Sequence, residues 1–169
     1  ASIDRVAALR PHHLQIEPVK LLPGAPLRMR AREFGIRFDP HPPYTVLATP
    51  DLSFVELERL RGIGRLCDLL CNSERFPRFL EGLSLVLGSF SVGLERLETF
   101  WRRRRLFRHP LSQRGVFEKV AEFVATEFPE GQRAALRERL GRDFAHSERV
   151  VPGNAPDFFD TNLSEAEQE

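Results

Sequence analysis

Apolar residues recur at helical spacing along most of the chain, and the pattern changes character near residue 50. Ile3, Val6 and Leu9 stand three apart, so residues 1–10 read as the end of a helix, which Pro11 stops. Across His13–Leu21 the residues alternate in part. Leu14 and Ile16 take one side and Gln15 and Glu17 the other, which predicts a strand. Pro18 cannot donate to a ladder, so the strand belongs at an edge or an end. Leu22-Pro23-Gly24-Ala25-Pro26 reads as a turn. A short helix is predicted over Pro26–Phe34, because Pro26 pre-sets the first-turn φ and Gly35 suits the position after the last turn. The proline-rich residues 36–50 read as loop, with Tyr44–Thr49 as a short strand.

From residue 51 the period is helical throughout. Ser53 and Glu56 have capping-box spacing, ahead of a stripe of Leu57, Leu60, Ile63, Leu66, Cys67 and Leu70. Gly62 and Gly64 within it each cost about 1 kcal/mol relative to Ala, which suggests a close helix contact. Asn72-Ser73 is a stop. A second helix runs from Phe76-Pro77 to Gly88, and a third from Ser91 through Leu94, Leu97 and Trp101 to before Pro110. The fourth is capped by Ser112 and carries Val116, Phe117, Val120, Phe123 and Val124. Pro129-Glu130-Gly131 separates it from a fifth with Ala135, Leu136, Leu140 and Phe144. The expected fold is mainly α: a bundle of about five helices over 51–148, preceded by a short α/β remnant over 1–50 with one or two strands. Residues 149–169 read as an arm or tail. A start at Ala1 in mid-pattern gives the expectation of a piece cut from a longer protein or a chain whose leader was removed, and the mismatch of one strand without a sheet supports truncation.

Composition narrows the function classes. Lys+Arg 25 against Asp+Glu 24 leaves a net charge of +1, which argues against a nucleic-acid binder on bulk charge and leaves only local patches. The longest uncharged run, Gly82–Leu94, has 13 residues and is too short to cross a bilayer. Two Cys make no disulfide framework, and a reducing, cytoplasmic compartment is expected. All basic residues except Lys20 and Lys119 are Arg, a codon-bias signature. No P-loop, Gly-x-Gly-x-x-Gly or Gly-x-Ser-x-Gly occurs.

Leu22-Pro23-Gly24-Ala25-Pro26-Leu27, following the strand at Leu14–Val19, resembles the end of the barrel in cobalamin-binding radical SAM proteins, with Ala25 where Thr is usual. Pro42-Pro43-Tyr44-Thr45-Val46-Leu47 and Cys71-Asn72-Ser73-Glu74-Arg75-Phe76 resemble a helical domain of unknown function that follows the barrel in one subgroup. The resemblance runs from Ile3 to Phe159. It implies a parent enzyme with a [4Fe-4S] cluster, S-adenosylmethionine and cobalamin, and equally that this chain lacks the equipment. A cluster needs three thiolates in a Cys-x3-Cys-x2-Cys loop. Here Cys67-x3-Cys71 is followed three residues on by Glu74. The expected function is a non-catalytic accessory domain that covers the barrel mouth or docks a substrate or partner. No cofactor is expected in the chain itself, and the rest of the parent is its expected partner.

Within that parent, Gln15, Glu17 and Lys20 would lie toward the mouth end of the last barrel strand, where barrel sites are built. Cys67 and Cys71 lack two further soft ligands and read as buried small side chains. His12 and His13 point to opposite faces of a strand and cannot share an ion. Arg102, Arg103, Arg104 and Arg105, with Arg108, Trp101 and Phe107, form a candidate anion or partner patch. The plainer account is a helix C-terminus that favours cations, with Glu95 and Glu98 as partners. The alternative function is a stand-alone helical module using that patch on nucleic acid or an acidic protein, nucleic acid being disfavoured. The orphan strand gives a further expectation: pairing with Tyr44–Thr49, or with a second copy in a homodimer.

Overall fold

The computed structural model describes residues 2–148 and 155–159. It is mainly α. Among the described residues there are seven α-helices and one two-stranded antiparallel sheet. The chain divides into two compact units, residues 15–65 and residues 1–14 with 66–169. These dividing lines differ from the boundaries at 50 and 148 expected from sequence. The reason is physical: residues 2–14 are hydrogen-bonded to Ser89, Ser91 and Asn72, whereas the later part of the expected remnant packs on the small core around Leu21.

In the unit of residues 15–65, helix α1 (Ser2–Ala8) is not included, and the elements are α2 (Pro26–Met29), β1 (Arg37–Phe38), β2 (Val46–Ala48) and most of α3 (Phe54–Leu66). Leu21, Ala31, Val46 and Leu57 form its small core, with Ile36, Phe38, Leu52 and Leu60 packed on it. β1 pairs with β2 at Arg37↔Ala48 and Phe38↔Val46. The strand expected at Leu14–Val19 is corrected to extended chain with one bridge, Lys20↔Thr45. Leu21 N donates to Tyr44 O at 2.9 Å, so the segment does find Tyr44–Thr49, but only at its end. Upstream its neighbour is a helix, because a Cβ on Gly64 would overlap the Ile16 carbonyl oxygen. That approach explains a glycine inside α3. The expected helix to Phe34 is also shorter, with successive turns leading to Gly35 at φ 62. β1 was expected to be loop. The Arg28 guanidinium fastens this region: it donates to Leu21 O at 2.7 Å and stacks 4.9 Å from both the Phe38 and Tyr44 rings. The capping box forms as predicted, with Ser53 N donating to Glu56 Oε2 at 2.8 Å and Glu56 N to Ser53 Oγ at 3.3 Å.

The other unit holds α1, α4 (Pro77–Leu87), α5 (Phe90–Arg103), α6 (Gln113–Glu127) and α7 (Glu130–Ser147). The chain from Leu66 continues as a π-helical turn over Cys67–Cys71. α4 lies against α5 and α7, and α6 against α7. The core is a phenylalanine network: Phe76 stacks on Phe117 at 4.2 Å, Phe117 meets Phe144 edge-on at 5.1 Å, and Phe144 meets Phe159 at 5.5 Å. Trp101, Leu83, Leu97, Val120, Phe123, Leu136 and Leu140 are buried, as the periodicity predicts. Gly88 ends α4 at φ 73, the left-handed position glycine adopts at least cost. Ser112 caps α6 by accepting from Gly115 N at 3.1 Å. α5 begins at Phe90, with Ser89 rather than Ser91 as its cap. Of the expected arm at 149–169, residues 155–159 lie in this unit, with Phe159 buried; the remainder falls outside the described residues.

Candidate functional site

Gln15, Glu17 and Lys20 lie exposed on the extended segment of the smaller unit. Among the described residues their side chains make no hydrogen bond or ion pair. The arginine run lies at the end of α5 and is largely neutralised. Arg102 Nε donates to Glu98 Oε1 at 2.6 Å, Arg103 pairs with Glu127, and Arg104 Nη2 lies 2.9 Å from Glu122 Oε1. Arg105 is exposed in a left-handed conformation at φ 57 and opens a 3-10 turn. Trp101 is only 1% exposed, so it offers no face for a base to stack on. The arrangement is that of a helix end tied to its neighbour by ion pairs.

The cysteines sit on the π turn, where Asn72 N donates to Cys67 O at 3.0 Å. Cys67 is buried, and its thiol donates to Leu14 O at 3.3 Å. The neighbouring Cys67, burial and the Asp68 carboxylate all push the Cys71 thiol up, so it stays protonated at neutral pH. The Cys67 thiol shifts the opposite way, downward, because Cys71 hydrogen-bonds to it. Among the described residues no three His, Cys, Asp or Glu side chains are placed to hold a metal ion.

Buried carboxylates serve the fold. Asp143 of α7 accepts from Phe79 N at 2.8 Å and from Arg78 N at 3.2 Å, supplying the N-terminal cap that Phe76 cannot give α4. Burial raises its pKa against the opposing pull of those amides.

A site with ligand-sized space lies in the helical unit. Residues 2–14 form a strap fastened at both ends, with α1 lying against α5. At one end Asp4 accepts from Ser91 N at 2.9 Å, Ser91 Oγ at 2.7 Å and Ser89 Oγ at 2.9 Å. The Ser91 hydroxyl and then its amide hold the Asp4 carboxyl well below the usual carboxylate range. At the other end the Asn72 side chain receives Leu14 N at 2.9 Å and donates to Leu14 O at 3.0 Å. Between the fastenings is an open cavity of about 890 Å³, walled by Ala7, Ala8, Leu80, Ser84 and Leu85. Arg10, His12 and Arg78 also line it. Sequence reasoning missed this groove. Asp4 and Ser91 are 87 residues apart, and neither residue type carries a signal of its partner.

The DUF4080 family, described as proteins of unknown function, matches residues 32–169. The chain belongs to that family. The DUF4080 match takes in β1 through α7, including the π turn, the arginine run and the α4 wall of the groove; α1, the extended segment and α2 precede it. No curated protein and no solved structure matches the chain. Among the described residues, no helix is long and apolar enough to cross a membrane.

Proposed function

We propose that this DUF4080 chain is the C-terminal accessory domain of a cobalamin-binding radical SAM enzyme, itself non-catalytic, which covers the barrel mouth or docks a substrate or partner. The observation that carries the reading is order along the chain. The Leu22-Pro23-Gly24-Ala25-Pro26-Leu27 segment that resembles a barrel end stands immediately ahead of a helical domain of unknown function. Exposed Val19, Leu22, Leu27 and Met29 around that segment support it, since a unit of this size gains by covering such side chains. In this reading the rest of the parent is the partner, and it holds the [4Fe-4S] cluster, S-adenosylmethionine and cobalamin in the cytoplasm. Gln15, Glu17 and Lys20 face the substrate or the sulfonium cofactor there. The ion-paired state of Arg102, Arg103 and Arg104 does not favour the alternative of a nucleic-acid module.

The test is to express the complete reading frame that encodes this chain, purify it anaerobically, and assay iron, sulfide and corrinoid. Cluster iron and bound corrinoid are expected. A purified product without either, from a frame lacking a Cys-x3-Cys-x2-Cys loop, would overturn the reading.

A further inference from the structure

We infer that the groove beneath the N-terminal strap binds an elongated amphipathic anion, an acyl chain ending in a carboxylate, with its charged end at Arg10. Space is the first support. The cavity of about 890 Å³ lies within the range of about 300–1,000 Å³ that small-molecule sites occupy. α1 has no buried residue, and residues 2–14 are held at Asp4 and Leu14 by polar fastenings.

Shape and apolarity come next. The lining follows α4 from Pro77 to Gly88, a length of about 16 Å at the helical rise per residue, which suits an extended medium-length acyl chain. Ala7 and Ala8 on the strap and Leu80 and Leu85 on α4 give it apolar walls, and Leu85 is 70% exposed although it lies over a cavity.

Charge then sets the polarity of the ligand. Asp4 is consumed by Ser89 and Ser91, Glu81 lies 2.7 Å from Arg139 Nη1, and Arg78 lies 3.6 Å from the buried Asp143. Arg10 has no carboxylate partner among the described residues, and His12 beside it has none either. Both line the cavity, and His12 adjoins His13, whose Nε2 lies 3.4 Å from Asn72 Nδ2. Arg10 is exposed and available, so a ligand carboxylate there meets a guanidinium in a charge-assisted pair that a neutral or cationic ligand cannot form.

The test is calorimetric titration of the chain with dodecanoate below its micelle concentration, with dodecyltrimethylammonium as the charge-reversed probe. It is repeated on Arg10→Glu and on Ala7→Phe, which fills the groove. One saturable dodecanoate site is expected, weakened at least about tenfold by each substitution, with no comparable site for the cation. Absence of saturable binding, equal affinity for the cationic probe, or dodecanoate affinity unchanged in Arg10→Glu would overturn the inference. Arg10 is exposed, so that variant decides the matter even where Ala7→Phe disturbs the strap.

Discussion

Replacing Asp143 by Ala removes the one side chain that closes the N-terminus of α4. Its carboxylate is 1% exposed and receives the Phe79 and Arg78 amides at 2.8 and 3.2 Å. Loss of a capping side chain costs about 1 kcal/mol, and each buried amide left without an acceptor adds about 1–3 kcal/mol, less for the part-buried Arg78 amide. The desolvation that raises the Asp143 pKa already offsets part of that gain in the native protein. The expected net loss for Asp143→Ala is therefore about 3 kcal/mol. For a chain of this length that is a fall of about 6–12 °C in Tm. Asp143→Asn keeps one acceptor but turns an NH2 toward the other amide, and about half the loss is expected. Urea denaturation followed by far-UV circular dichroism measures both. The pH dependence gives the sign independently. A carboxyl whose folded pKa is raised makes its contribution in full below its ordinary value of 3.8, and loses part of it as pH rises through the raised value. The wild-type advantage over Asp143→Asn thus shrinks toward neutrality. A loss within about 0.5 kcal/mol for Asp143→Ala would refute the capping account, and an advantage that grows with pH across that window would refute the raised pKa.

Asp4 behaves in the opposite sense: its pKa is lowered, so its stabilisation is present above 3.8 and fades as pH falls through the lowered value. Asp4→Asn should speed amide exchange across residues 2–8 at neutral pH and lose its difference from wild type in acid; unchanged protection would contradict this. Gly64→Ala should destabilise by about 1–3 kcal/mol and raise exchange in residues 15–21, because the new methyl meets the Ile16 carbonyl. A gain of about 1 kcal/mol, the helix-propensity benefit alone, would show that the contact is loose. Arg103→Ala and Arg104→Ala should each cost no more than about 1 kcal/mol at low salt, and less at high salt, because their ion pairs are half-exposed. Neither should alter the electrophoretic mobility of a short RNA mixed with the chain.

The helical half was legible because its information is local. Capping spacings at Ser53 and Ser112, the Pro129 break and the three-and-four spacing of Leu and Phe act within a turn or two of the residue that carries them. The strand at Leu14–Val19 was misread for the converse reason. Alternation records which side chains are covered, and it is silent on whether the backbone partner is a strand, the Asn72 amide or the face of α3 at Gly64. Leu60 followed the helical stripe but is only half-buried, since the core it joins is the small one around Leu21 and Val46. The arginine run was visible as a charge feature. Its neutralisation was visible only in part, because Glu98 lies one turn back but Glu122 and Glu127 come from α6. The groove was not legible at all. It depends on Asp4 and Asn72 finding partners far along the chain, and polar clamps of that kind leave no periodic trace.

The proposed reading leaves the iron–sulfur cluster and S-adenosylmethionine to the rest of the parent, and anaerobic reconstitution of this chain tests that most directly. The purified chain is incubated with ferrous iron, sulfide and reductant, desalted, and assayed for iron and for S-adenosylmethionine binding. With only Cys67 and Cys71 in the chain, one thiolate short of the three a cluster needs, no iron and no S-adenosylmethionine should remain bound. Stoichiometric iron with the broad visible absorption of a cluster would contradict the account.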